Sequence, residues 1–437
     1  MSRPARPGVT TAPALIATVA AVALGLTLFL PASADLWSER AKPTAPSAPA
    51  QPKPSTPPAA PATQPSPERG GARTTPEATP LTRLGGIGPL TGPRTNVGAI
   101  LRVAQAIVAR GGAGEVVVKD DGSMPLRTIP AARFLENYHR VQAFLSPLET
   151  YPVASLLPYL GYTKTPTLFL STTVSQWATG PRVIGFPPAG AGTTQVLAQA
   201  MQRVVDERVE IRRGEPATQG VWVVWADTED GRDRIVGFRK AGLTGVTEIS
   251  MQPESKAALP GGAAPEAVLI IGTPRSVVEI AGAIQALPPA CMGGETMLAC
   301  AQPPAIFAAV FEPYDWTELA SVPKLAVADW LRTDAATLAG HRSVLQQVLP
   351  EERPSRLTLW GHALGEVTNE VLRRAGPNAD GARLLEAARS LRNWQSPLLP
   401  AITLDAQDRW PIEHVAMVTL TRGQPSEPSA WLPVPRP

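Results

Sequence analysis

The chain has 437 residues, 40 of them basic and 37 acidic, for a net charge of +3, with 44% hydrophobic residues, 49 prolines and two cysteines. So small a charge gives no support to a nucleic-acid partner, which needs basic residues gathered on one face. The apolar content past residue 81 is more than one compact core usually holds, so two lobes are expected there.

Arg3 and Arg6 precede an uncharged, mostly apolar run from Ala14 to Leu30, followed by Ala32-Ser33-Ala34 in the small-x-small form of a cleavage site. That is the layout of an export signal, residues 1–34, and it places the rest outside the cytoplasm, in the periplasm. The run also just reaches the length of a spanning helix, so an uncleaved membrane anchor stands as the alternative. Residues 35–81 read as a Pro/Ala-rich tether. Between Ala41 and Pro80 there are 12 prolines and no Val, Ile, Leu, Met or aromatic residue, so this stretch cannot bury a core. Fully extended as polyproline II it would span roughly 120 Å.

Beyond it, short β-type apolar runs alternate with helical patterns, which predicts an α/β fold of βαβ units. The strands expected are 84–88, 115–119, 141–145, 167–170, 220–226, 247–250, 267–271, 306–311, 402–404 and 415–420. The helices expected are 97–110, 128–137, 152–160, 194–206, 232–241, 276–285, 329–348, 357–374 and 382–391. Two such series joined by Phe186-Pro187-Pro188, with late helices returning to the first, describe two Rossmann-like lobes with a hinge and a ligand cleft between them. The expected limits are lobe 1 at 82–186, lobe 2 at 187–313, a return to lobe 1 at 314–397, a return to lobe 2 and the hinge at 398–424, and a tail at 425–437.

Ligands of doubly wound sheets bind at the carboxyl ends of the strands, where helix N-termini offer free N–H groups to an anion. Two such junctions are dense in hydroxyls: Ser146-Pro147-Leu148-Glu149-Thr150 and Ser171-Thr172-Thr173-Val174-Ser175. The competing reading makes these residues plain N-caps, each contributing about 1 kcal/mol. Cys291 and Cys300 enclose a short loop and are expected to pair in an oxidising compartment; two separate buried thiols are the alternative. There is no G-x-S-x-G elbow, phosphate loop or H-E-x-x-H set, and the four histidines, His139, His341, His362 and His414, are scattered. The acidic run from Asp227 to Gly231 lacks the further carboxylates of a calcium loop. No catalysis, cofactor or metal is therefore expected.

Four patches resemble the ABC-transporter substrate-binding proteins of the branched-chain amino acid type, the type I periplasmic binding proteins. They are Gly88-Pro89-Leu90-Thr91-Gly92-Pro93; Asp120-Asp121-Gly122 with Pro125; Pro158-Tyr159-Leu160 with Thr165-Pro166-Thr167-Leu168-Phe169 and Trp177; and Leu398-Leu399-Pro400-Ala401-Ile402-Thr403-Leu404. They follow the family's order and span residues 82–423. The resemblance implies a solute receptor that closes on an amino acid, amide or related small carboxylate and presents it to an ABC permease. Carried over by position, the ligand would meet Thr150 with Ser146 beside it, the Val174 carbonyl and the Ser175 hydroxyl, with Thr172 and Thr173 adjacent. The chain departs from the pattern where Glu149 replaces a usual Gly and Asp230 a usual aromatic. Facing the cleft, both would favour a cationic or polar solute; pointing to water, they would not. No acidic partner for an ammonium aligns clearly, and Glu295 is the only candidate offered. A tethered interaction protein that kept the fold without transport is the alternative function.

Overall fold

Strands β6 (Val221–Ala226) and β8 (Ala267–Gly272) are buried at every position, as the unbroken runs Val-Trp-Val-Val-Trp-Ala and Ala-Val-Leu-Ile-Ile-Gly dictate. A central parallel strand is covered on both faces and has no use for alternation. Their neighbour β7 (Val246–Met251) carries Thr247, Glu248 and Ser250 on largely exposed positions, as befits a sheet edge. With β9 (Ala305–Val310), β10 (Leu325–Asp329), β11 (His414–Thr421) and β12 (Gln424–Pro425) they form a sheet of order β12-β11-β10-β9-β8-β6-β7. Strands β6 to β10 are parallel, β11 runs antiparallel to β10, and β13 (Leu432–Pro433) pairs with β11.

A second, wholly parallel sheet precedes it in sequence. Strands β1 (Thr82–Gly88), β2 (Gly114–Asp120), β3 (Ala143–Leu145), β4 (Thr167–Ser171) and β5 (Val183–Phe186) take the order β2-β1-β3-β4-β5. Helices α1 (Ala99–Gly111), α2 (Pro125–Asn137) and α3 (Thr150–Tyr162) connect the first four strands, as right-handed βαβ crossovers require. Helices α4 (Gly190–Ile211), α5 (Glu229–Lys240) and α6 (Pro274–Gln285) serve the other sheet. This computed structural model describes residues 81–146, 148, 150–178, 180–211, 220–253, 255, 258–288, 303–405 and 409–436, all within one contact unit.

The late helices α7 (Ala335–Val348), α8 (Arg356–Ala375) and α9 (Gly381–Arg389) follow β10, yet α8 lies against α1 of the first lobe. Gly361 and Gly365 make this crossing close: a Cβ at Gly361 would stand 2.5 Å from the Ile100 carbonyl oxygen, and one at Gly365 would stand 2.6 Å from the Ile107 Cβ. Any side chain there would overpack the joint.

Three expected features change. Leu325–Asp329 is a strand of the second sheet and not the approach to a helix, so lobe 2 runs past 313 and the return to lobe 1 begins after 329 rather than at 314. Val183–Phe186 is an additional strand of the first sheet. Ile402 forms only single bridges to Trp394 and Ile412, and no strand spans 402–404.

Two of the family-like patches are joined. Asp120 accepts from the Leu90 and Thr91 N–H groups at 2.8 and 3.2 Å and from the Gly122 N–H at 3.0 Å, so its carboxylate ties the turn after β1 to the end of β2. Burial opposes this charge, but these bonds and the Thr91 hydroxyl outweigh it and lower the Asp120 pKa. Their role is structural.

Candidate functional site at the lobe interface

The chain crosses between lobes after β5, after β10 and again between α9 and β11, and the first two crossings border one cavity at the carboxyl ends of β9 and β10. Thr173, Pro187, Arg234, Glu312, Tyr314 and Trp330 are among the residues lining it. Its volume is about 20 Å3, the scale of a single water molecule.

Thr173 comes from the loop after β4, whereas Asp230 and Arg234 stand one turn apart on α5, on one helix face. The Thr173 hydroxyl donates to Asp230 Oδ1 at 3.0 Å and accepts from Arg234 Nη2 at 3.0 Å. Arg234 Nε closes the triangle on Asp230 Oδ1 at 2.8 Å. Both charged side chains are buried, with 4% and 2% of their side-chain surface exposed. Beside them the Ser175 hydroxyl donates to Asp233 Oδ2 at 3.1 Å, and the Ala191 N–H reaches the same oxygen at 3.2 Å. Burial pushes the Asp233 carboxyl above its ordinary value, against the pull of Ser175 and Arg234. The Gly190 N–H donates to the Thr173 carbonyl at 2.7 Å. The β4 loop is thereby clasped to α4 and α5. Sequence explains α5's position locally: Thr228 caps it by accepting from the Gly231 N–H, and acidic residues in its first turn suit the positive end of the helix.

A second charged cluster sits behind the cavity. Arg356, the first residue of α8, is fully buried. It donates to both Glu312 oxygens at 2.8 and 2.6 Å, to both Asp329 oxygens at 2.8 and 3.2 Å, and to the Tyr314 carbonyl at 3.2 Å. Burial alone would lower the Arg356 pKa, but Asp329, Glu312 and Tyr314 outweigh it and hold it well above the ordinary value. Its guanidinium also lies 4.2 Å from the Tyr314 ring centre. An edge-to-face aromatic series, Phe169, Phe186, Trp330 and Trp360, with ring centres 5.5, 5.0 and 5.1 Å apart, runs from the first sheet past the cavity to α8.

The fold recurs in solved structures. A leucine-binding protein from Thermotoga maritima superposes with a TM-score of 0.61 at 16% identity, over 81% of this chain and 99% of that one. A solute-binding protein of an ABC transporter from Rhodopseudomonas palustris, in complex with 3,4-dihydroxybenzoic acid, gives 0.60 at 17% identity, over 82% and 99%. A branched-chain amino acid ABC transporter protein from Thermus thermophilus with bound valine gives 0.60 at 14% identity, over 80% and 97%. The chain has the type I periplasmic-binding-protein fold. No family model and no curated protein matches it.

In this binding-protein fold the residues expected to hold a ligand meet different fates. Thr173, Ser175 and Asp230 do come together at the lobe interface, but they bond to one another's lobes. Asp230 is the anion of a buried pair with Arg234. Thr172 accepts from the Val174 N–H at 3.1 Å, a local turn of the kind the capping reading describes. The Val174 carbonyl accepts from the Trp177 N–H at 3.0 Å. Ser146 is buried at the end of β3, its hydroxyl without a partner among the described residues. Thr150 opens α3, and its side chain lies outside the described residues, as do Glu149, Glu295, Cys291, Cys300, the expected export signal at 1–34 and residues 35–80 of the expected tether. Among the described residues no helix is long and apolar enough to cross a membrane, and no group of three or more His, Cys, Asp or Glu residues could hold a metal.

Sequence reading missed Arg234, Asp233, Glu312 and Arg356. Arg234 had a legible signal in its i,i+4 spacing from Asp230, and Glu312 in its place just after an apolar strand. Arg356 had none.

Proposed function

We propose that this chain is an extracytoplasmic solute receptor that works with an ABC permease and takes an amino acid, amide or related small carboxylate between its lobes. The observation that carries this reading is the convergence of both sheets' connecting loops on one polar cavity at the crossings, lined by a hydroxyl (Thr173), a cation (Arg234) and an anion (Glu312). Those three groups suit a small solute with a carboxylate and a second polar group. The role is binding, with no chemical step. The N-terminal segment delivers the receptor across the membrane, and the Pro-rich stretch spaces it from there.

A thermal-shift screen of the purified chain against amino acids, amides and small carboxylates tests it. A solute at 100 times its dissociation constant adds about 2.7 kcal/mol of stability. Absence of any shift across the panel would count against the receptor.

One observation favours a second reading, a tethered interaction protein that kept the fold without transport. The cavity measures only about 20 Å3, and its hydroxyl is already engaged by Asp230 and Arg234. For that protein the screen returns nothing, and capture by a folded partner does not depend on any solute.

A further inference from the structure

The cleft of a two-lobed receptor closes when something bridges the loops of one lobe to those of the other. In this chain the bridge is internal. Thr173, on the loop after β4, is met by a carboxylate and a guanidinium carried on a single helix of the other lobe. The hydroxyl donates to the anion and accepts from the cation, so both of its hydrogen-bonding roles are filled by one intramolecular ion pair. Ser175 and Asp233 repeat the contact beside it, and the Gly190 and Ala191 N–H groups extend it along the start of α4. Asp230, Arg234 and Thr173 are all buried, and the space left is about 20 Å3. An amino acid does not fit there until these groups part.

We infer that the Asp230 and Arg234 pair substitutes for a solute on Thr173 and latches the lobes together, so that the chain closes on itself and an incoming solute must displace the pair. The latch deepens the proposed function, on whose reading of the cleft it rests, by assigning the regulation of that site. A receptor with a built-in competitor has a reduced apparent affinity, because only the unlatched fraction accepts solute. Charge-assisted bonds of this kind stabilise the latched form by a factor of about ten or more.

Hydrogen exchange on the full chain, read by mass spectrometry, tests the latch. In solute-free buffer, segments 172–178 and 228–236 are expected to be strongly protected. Arg234→Met and Asp230→Asn should each raise exchange there about tenfold or more, leaving the core segment 267–272 unchanged as a control on folding. Thr173→Val, which removes the hydroxyl and keeps the ion pair, should give an intermediate effect. Free exchange of both segments in the unmodified, solute-free chain, or unaltered protection in both charge variants, overturns the inference. If Arg234→Met unfolds the chain, Thr173→Val decides by the same readout.

The common amino acids, each added to the unmodified chain and to the variants in a thermal-shift assay, separate the two proposals. Solute shifts that are larger in the latch variants support both. Protection lost in the variants, with no shift in any protein, keeps the latch and removes the receptor. A shift in the unmodified chain, with both segments freely exchanging before solute is added, keeps the receptor and removes the latch.

Discussion

Two buried arginines a short distance along the same interface are held very differently. Arg356 meets two carboxylates through both oxygens of each, together with a backbone carbonyl and an aromatic face. Arg234 meets one carboxylate oxygen and one hydroxyl, with the Phe311 ring centre 5.8 Å away. The partners of Arg356 sit at the carboxyl end of β10 and just past that of β9, on backbone that the sheet itself fixes. The hydroxyl partner of Arg234 lies on a loop of the other lobe and can leave with it. Both clusters bridge the lobes, since α8 packs against α1; the first is a pin where the chain itself crosses, and the second a contact through a loop that rigid-body motion can part. A buried ion pair is no evidence of stability in itself; what matters is whether the charge left behind can reach water when the pair breaks.

That distinction is open to direct attack. Arg356→Met leaves Glu312 and Asp329 enclosed without their cation, and should cost about 3–5 kcal/mol in urea unfolding. A loss below about 1 kcal/mol would show that the carboxylates find water after all and that the pin is ordinary.

Acidification should weaken the same side of the molecule next. His341, on α7, shares a hydrogen bond with His362 Nδ1 at 3.2 Å and one with the Thr358 hydroxyl at 3.0 Å. Burial first, then His362 and Arg342, lowers its pKa from 6.5 to about 4. The unfolded chain then takes up the proton before the folded one. The associated stability is fully present above pH 6.5 and is lost as pH falls toward 4, by about 3 kcal/mol. Unfolding measured at pH 7 and at pH 4.5 should differ accordingly, and His341→Gln should flatten the dependence.

Arg234→Met should have a smaller effect on global unfolding, about 1.4 kcal/mol, the tenfold by which the latch favours the closed form, because the opened lobes let Asp230 rehydrate. A loss as large as that of Arg356→Met would erase the contrast between pin and latch. Thr173→Val should be smallest, about 0.5–1 kcal/mol, seen as a slight fall in melting temperature.

Much of this was legible along the chain. The apolar runs at 220–226, 267–271 and 306–311 announced parallel strands, and the alternation of strands with helices announced a doubly wound fold. Strand Leu325–Asp329 escaped because it is five residues long and its Asp329 reads equally well as a helix start. Val183–Phe186 escaped because the prolines after it suggested a crossing, which it also precedes. Of the expected site residues, Thr173, Ser175 and Asp230 lie at the lobe interface. What they would touch was not legible.

The sequence by itself determined the two-lobed α/β architecture and which loops lie at the carboxyl ends of the strands, because hydrophobic periodicity and turn chemistry act over neighbouring residues. Only the tertiary structure decided that Thr173 finds Asp230 and Arg234, residues 57 and 61 positions away. It also decided that Arg356 gathers Glu312 and Asp329, 44 and 27 positions away. Such pairings depend on how two sheets come to face each other, and no local pattern encodes that distance.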